Sequence, residues 1–225
     1  MDRVVFNPFS PLLIIIFLGL IGLFIFAVLI FPLIFVTAVG ATFTRLGFSW
    51  QQALLILFLT LAGSFINIPI KTLESRPAAP EYDRYISIYG RLYHISRPVQ
   101  RTVLAVNVGG ALIPIVISLY LLYKSVQIAG GFEILWLALL GVAIVTVGTK
   151  LVARPVPGLG IATPIFIPPL AALLAALILP LLAGGVPGSS VIIAYVSGTL
   201  GTLIGADIMN LNHIAELGAP MASIG

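Results

Sequence analysis

The sequence contains no cysteine, which excludes disulfide frameworks, thiolate zinc sites and cysteine nucleophiles together and leaves the cellular compartment open. It also has little charge. Only 8% of its 225 residues are Asp, Glu, Lys or Arg, against about 25% in an ordinary soluble domain. The polar surface needed to cover a water-soluble globule of this size is missing. Hydrolase signatures are missing too, with no Gly-x-Ser-x-Gly elbow and no His-Glu-x-x-His pair. Nucleic acid is excluded as a partner in a different way. The net charge of +4 comes from basic residues that form no stripe interleaved with aromatics. Glycine patterns that resemble nucleotide loops fall only inside apolar runs, where they signal helix packing, so no cofactor is expected.

What the chain has is hydrocarbon. Hydrophobic residues make up 60% of it, grouped into runs that approach or exceed the roughly 20 residues needed to cross a bilayer as a helix. The expectation is an all-α, polytopic transmembrane helix bundle: one domain over residues 1–225, about six spans, and segments broken by proline and glycine. The first apolar run, residues 11–43, is much longer than a signal-peptide core of about 7 to 15 residues. A straight helix of that length would reach about 50 Å, which predicts a kink or break near Pro32. Ser49 and Gln52 form a capping box, so a second helix starts near Trp50 and ends around residues 67–69. Further spans are predicted over residues 102–123, 133–152, 169–182 and 191–211. Residues 154–169 hold five prolines and two glycines, which rules out continuous helix and leaves an interfacial loop or a re-entrant stretch.

The one long polar segment, residues 71–101, is predicted to be a loop between spans two and three. Within it, residues 86–95 partly alternate around Gly90, the pattern of a short β-hairpin. This loop holds six of the eleven Lys and Arg residues. With six spans threaded alternately, Arg3, the loop, Lys150 and Arg154 collect on one side, and only Arg45 and Lys124 on the other. The positive-inside rule then places both termini and the loop in the cytoplasm, in a multi-pass protein of the cell membrane. Lys150 and Arg154 are expected to reach lipid phosphates from the end of the fourth span.

Polar groups inside apolar spans are costly, so they mark the candidate chemistry. Asp207 is foremost. It lies about 24 Å along the last span, after the series Ser197, Gly201 and Gly205, whose four-residue spacing lets another helix pack at backbone contact. Such a carboxylate either binds a proton, cation or small solute, or is an interfacial Asp that ends the span. Asp207, Asn210, His213 and Glu216 recur every third residue. That spacing fits a polar helix face better than a metal site, since no second ligand cluster accompanies it. Asn107, with Gly109, Gly110 and Pro114, and Asn67, with Pro69, fit either opened helices that expose carbonyls or kinks in which each Asn bonds a neighbouring helix. The candidate binding set is therefore Asp207, Asn210, Asn107 and Asn67. No metal is expected.

The words Pro157-Gly-Leu-Gly-Ile-Ala-Thr-Pro164, Phe166-Ile-Pro-Pro169 and Gly201-Thr-Leu-Ile-Gly-Ala-Asp207 resemble a family of archaeal and bacterial membrane proteins, the domain of unknown function numbered sixteen-fourteen. The resemblance covers most of the chain. It implies a small polytopic membrane protein without an established activity, whose members continue past residues 222–225 with a second acidic residue.

Three functional readings follow. In the first, a transporter or channel-like protein passes a small solute, proton or cation at Asp207. In the second, an intramembrane aspartyl hydrolase uses Asp207 with a second carboxylate, which a dimer mate or a further C-terminal segment would have to supply because Asp2 and Asp83 lie outside the spans. The third is a membrane scaffold or assembly subunit that binds another protein through residues 71–101. Membrane lipids are the expected partners, and a homo-oligomer is compatible with the sequence.

Overall fold

A computed structural model describes residues 10–74, 85–88, 91–94, 101–127, 131–156, 160–185, 187–214 and 220–225. The chain forms two compact units, Met1–Leu55 and Ile56–Gly225. It is mostly helical. Among the described residues, four helices are long and apolar enough to cross a membrane: Pro11–Arg45, Val108–Val126, Gly131–Val152 and Ser189–Ile214. Two shorter apolar helices, Trp50–Gly63 and Ile167–Leu182, accompany them.

The first long helix comprises α1 (Pro11–Ile25) and α2 (Phe31–Arg45), joined by a π-helical turn over Phe26–Ile30. Ser10 caps its start, its hydroxyl accepting the Leu13 N–H. The break expected near Pro32 takes a milder form. The N–H of Phe31 reaches back five residues to the Phe26 carbonyl, and the proline that follows sits in the first turn of α2, where a missing N–H is tolerated. No residue of α1 is buried. A helix apolar on every side has no face suited to water. At the end of the unit, Gly40 is small because the Trp50 ring occupies the space of a Cβ.

The capping box is present as spelled in the sequence. The Ser49 N–H donates to Gln52 Oε1 at 2.8 Å, and the Gln52 N–H to Ser49 Oγ at 3.3 Å. It opens α3 (Trp50–Gly63), which stops before the expected end. Residues 67–74 are instead β1 (Asn67–Glu74). The polar segment carries β2 (Tyr85–Ile88) and β3 (Arg91–His94), paired antiparallel as the expected hairpin. The next apolar run also begins in extended form, as β4 (Arg101–Asn107), and becomes helix only at Val108.

These are corrections to an all-α reading, and they share a cause. A short apolar run rich in β-branched residues reads equally as strand or buried helix, and Thr102, Val103 and Val106 found a strand partner. β1 pairs antiparallel with β4, with Asn67 opposite Asn107, and the register slips between Pro69 and Lys71. Pro69 lacks a ladder donor, which suits an edge strand with a bulge. On the other side β4 pairs in parallel with a strand from the far end of the chain, Met221–Ile224.

After the helix that begins at Val108 with a π-helical turn (Val108–Leu112) and continues as α4 (Ile113–Val126) comes α5 (Gly131–Val152). The proline-rich stretch then folds into two short antiparallel strands, β5 (Arg154–Val156) and β6 (Gly160–Ala162). α6 (Ile167–Leu182) follows, then α7 (Ser189–Thr202), a π-helical turn (Leu203–Asp207), a 3-10 turn (Ile208–Asn210), α8 (Leu211–Ile214) and β7 (Met221–Ile224).

α7 and its continuation pack on α5 at backbone distance. A Cβ on Gly201 would meet the Val145 side chain at 2.6 Å, and one on Gly205 the Thr146 carbonyl at 2.5 Å. Ser197 faces Gly141 one turn earlier. The contacts advance together along both helices, so α5 and α7 run parallel, with α6 returning between them. Between the two lie hydroxyls of Thr149 and Ser197, fully buried and without a hydrogen-bond partner.

Two outcomes test this interface. Gly205→Leu forces a side chain into backbone and is expected to cost at least the roughly 1–3 kcal/mol of overpacking, read as a lowered midpoint of thermal unfolding in detergent. Thr149→Val removes an unsatisfied hydroxyl at constant shape and is expected to leave that midpoint unchanged or raise it.

Candidate functional site

The site is built where α7 ends. An unbroken α-helix turns about 100° per residue, which would set Asp207 about 120° around the axis from Tyr195. The π-helical turn absorbs one extra residue, and the offset falls to about 20°. Tyr195, Thr199, Thr202 and Asp207 therefore form one polar stripe along the last long helix, and Tyr195 and Thr199 hydrogen-bond to each other.

This stripe is one wall of an open groove of about 760 Å³, within the size range of small-molecule sites. The opposite wall comes from the start of α6, with Pro168, Pro169, Ala172 and Leu173. Gly110 and Pro114 close one side together with Gly225. Asp207 Oδ2 accepts the Gly225 N–H at 2.9 Å. The other carboxylate oxygen has no partner among the described residues, and neither Lys, Arg nor His lines the groove there.

Two polar clusters hold this arrangement. In the first, Lys150 Nζ donates to Asn210 Oδ1 at 2.6 Å and to the Met209 carbonyl at 2.9 Å. Asn210 Nδ2 in turn donates to the carbonyls of Ala206 at 2.8 Å and Gly205 at 3.2 Å. A helix that passes from α through π to 3-10 geometry leaves carbonyls without their regular partners. A buried amide and an ammonium satisfy them, and the cation complements the helix C-terminus. Lys150 is thus turned inward to protein rather than outward to lipid phosphate, contrary to expectation. The change of helix type also breaks the every-third-residue series: Asn210 is buried, His213 is exposed, and Glu216 lies outside the described residues.

In the second cluster, Asn107 Oδ1 accepts the Gly110 N–H at 2.6 Å and so caps the helix that begins at Val108. Its Nδ2 donates to the Ser64 carbonyl at 2.7 Å and to Asn67 Oδ1 at 3.1 Å. Asn67 Oδ1 also accepts the Ser223 hydroxyl at 2.8 Å. Asn67 and Asn107 are cross-strand partners that tie β1, β4 and β7 to a helix start, not kinks inside spans. Gly109 has no room for a side chain because the backbone of Thr60 and Ser64 lies against it.

Of the four candidate binding residues, then, Asp207 alone lines the groove; Asn67, Asn107 and Asn210 shape its surroundings. Sequence reasoning passed over Tyr195, Thr199 and Thr202. Their spacing of four and three residues is visible in the sequence, but it joins Asp207 only through a π-helical turn that no residue type announces.

Asn210→Leu is expected to destabilise the protein by about 1–3 kcal/mol, because it strands two carbonyls and leaves the Lys150 ammonium with the Met209 carbonyl alone. Lys150→Met should cost less than Asn210→Leu, since Asn210 keeps its backbone bonds; chemical unfolding of the two variants side by side checks the order.

No curated protein and no solved structure matches the chain. A family model described as a protein of unknown function (DUF1614) matches residues 61–225, nearly the whole of the second compact unit. The chain belongs to that family, DUF1614.

Proposed function

We propose that this protein is a multi-pass membrane protein that binds a proton, cation or small cationic solute at Asp207 and passes it along the groove between α4, α6 and α7. The observation that carries the reading is the Asp207 carboxylate, which lines an open groove with one oxygen held by a backbone N–H and with no Lys, Arg or His among the described lining residues. The helix that leads into α4 opens on a π-helical turn at this level, and α7 passes into one. Irregular helix segments that meet at a polar site are a recurrent device of transport proteins.

Six spans fit the proposal: the four long helices together with the shorter α3 and α6. A sheet with an open edge does not occur in hydrocarbon, so the β1–β4–β7 sheet belongs at the aqueous boundary, and Asp207, bonded to the residue after β7, lies close below it. The same end carries Lys71, Arg101, Lys150 and Arg154. By the positive-inside rule it is the cytoplasmic end, in the cell membrane. The hydrolase reading lacks comparable support, since Asp207 is the one carboxylate lining the groove among the described residues.

Reconstituted in proteoliposomes, the wild type is expected to dissipate an imposed proton or monovalent-cation gradient, and Asp207→Asn to do so at least ten-fold more slowly. Equal rates would remove Asp207 from the path. The absence of cysteine allows a clean topology test: Ser87→Cys is expected to react with an impermeant maleimide only after intact cells are opened, and reaction in intact cells would reverse the orientation.

A further inference from the structure

We infer that the groove accepts an amphiphilic cation, an ammonium head on an apolar body, rather than a bare hydrated ion. This rests on the proposed reading of Asp207 as a binding carboxylate in a membrane and goes beyond it by naming the class of ligand.

The argument starts from the lining. From Tyr195 to Asp207 the stripe spans twelve helical steps, roughly 18 Å along the helix. The wall that faces part of it is aliphatic: Pro168, Pro169, Ala172 and Leu173 from α6, about 8 Å of helix, with Ile165 before it. A hydrated ion gains nothing from such a wall beyond what the carboxylate and the hydroxyls opposite supply. An apolar body does gain there, since every buried carbon leaves its surroundings for close contact.

Polarity is also arranged in order. Among the described lining residues the one charge is at the sheet end, next to the aqueous boundary, and the hydroxyls of Thr202, Thr199 and Tyr195 follow it inward. An amphiphile in a lipid leaflet has the same orientation, with its charged head at the boundary and its chain in the hydrocarbon. The groove is open along its side, where Leu173 and Ile165 are half or more exposed, so such a molecule enters from the leaflet without first leaving it. An ammonium donates to the carboxylate oxygen that has no partner, and the Gly225 N–H continues to hold the other.

Dodecylamine is the probe, added to the full chain in nanodiscs of neutral lipid and followed by displacement of a photoreactive dodecylamine analogue. The expected result is saturable labelling of α6 and α7 that unlabelled dodecylamine displaces, while methylammonium, sodium ion and dodecanol do so at least ten-fold less well. Asp207→Asn should weaken binding at least ten-fold. Thr202→Phe, which fills the groove at a partly exposed position and leaves the carboxylate in place, should also abolish labelling while the variant keeps the wild-type unfolding midpoint.

Displacement by methylammonium or sodium ion at the concentration of dodecylamine would overturn the inference and leave cation binding at Asp207 standing. Equal displacement by dodecanol, or full binding in Asp207→Asn, would overturn it as well, by showing that the charge takes no part. Saturable, Asp207-dependent binding without gradient dissipation by the wild type would instead support the amphiphile site and refute transport.

Discussion

The close approach of α5 and α7 is the constraint from which the rest of the second unit follows. Two parallel helices reach backbone contact only where side chains are absent, and Gly201 and Gly205 remove them at successive turns against Val145 and Thr146. That contact fixes the depth of α7 relative to α5 and brings Lys150 within reach of Asn210. Once Asn210 takes over the carbonyls of Gly205 and Ala206, the helix can change its winding at Leu203–Asp207 without stranding backbone groups. The change of winding is what turns Asp207 onto the hydroxyl stripe. A packing rule at two glycines thus decides where a carboxylate points two turns later.

The strongly patterned parts of this architecture were legible in the sequence. The capping box at Ser49 and Gln52, the long apolar helices over 11–45, 131–152 and 189–214 and the hairpin within the polar segment all rest on local rules, and each is close to where the residues indicated. Extended segments inside apolar runs were not legible. Arg101–Asn107 continues without a polar break into the helix that starts at Val108, and only its pairing with β1 and β7, distant in sequence, distinguishes strand from helix. Asn67 and Asn107 were singled out correctly as unusual, but their role is to knot strands and cap a helix. Lys150 was placed correctly at the end of its helix and wrongly assigned to lipid, because its partners lie about sixty residues further on, beyond any local pattern.

The two amide clusters divide the labour around the groove. One stabilises an irregular helix end, and the other anchors the start of the helix across from it. Neither Asn107 nor Asn210 is spare to bind a ligand, because both spend their donors and acceptors on protein. Amides engaged in this way are rigid supports, since breaking one of their bonds leaves a buried polar group unpaired. The groove they frame is correspondingly preformed.

The parallel pairing of β4 with β7 has a consequence for how the chain matures. Val103 and Met221 are register partners although the described helices α4 to α8 are threaded between them, so this contact has a very high sequence separation and closes late. The central strand must wait, with one edge unpaired, until α7 has been made and packed. Only then does Gly225 arrive beside Gly110 and offer its N–H to Asp207. The carboxylate acquires this partner only after α7 has formed, and a chain that stalls earlier presents an open strand edge, the kind of surface that quality-control machinery recognises.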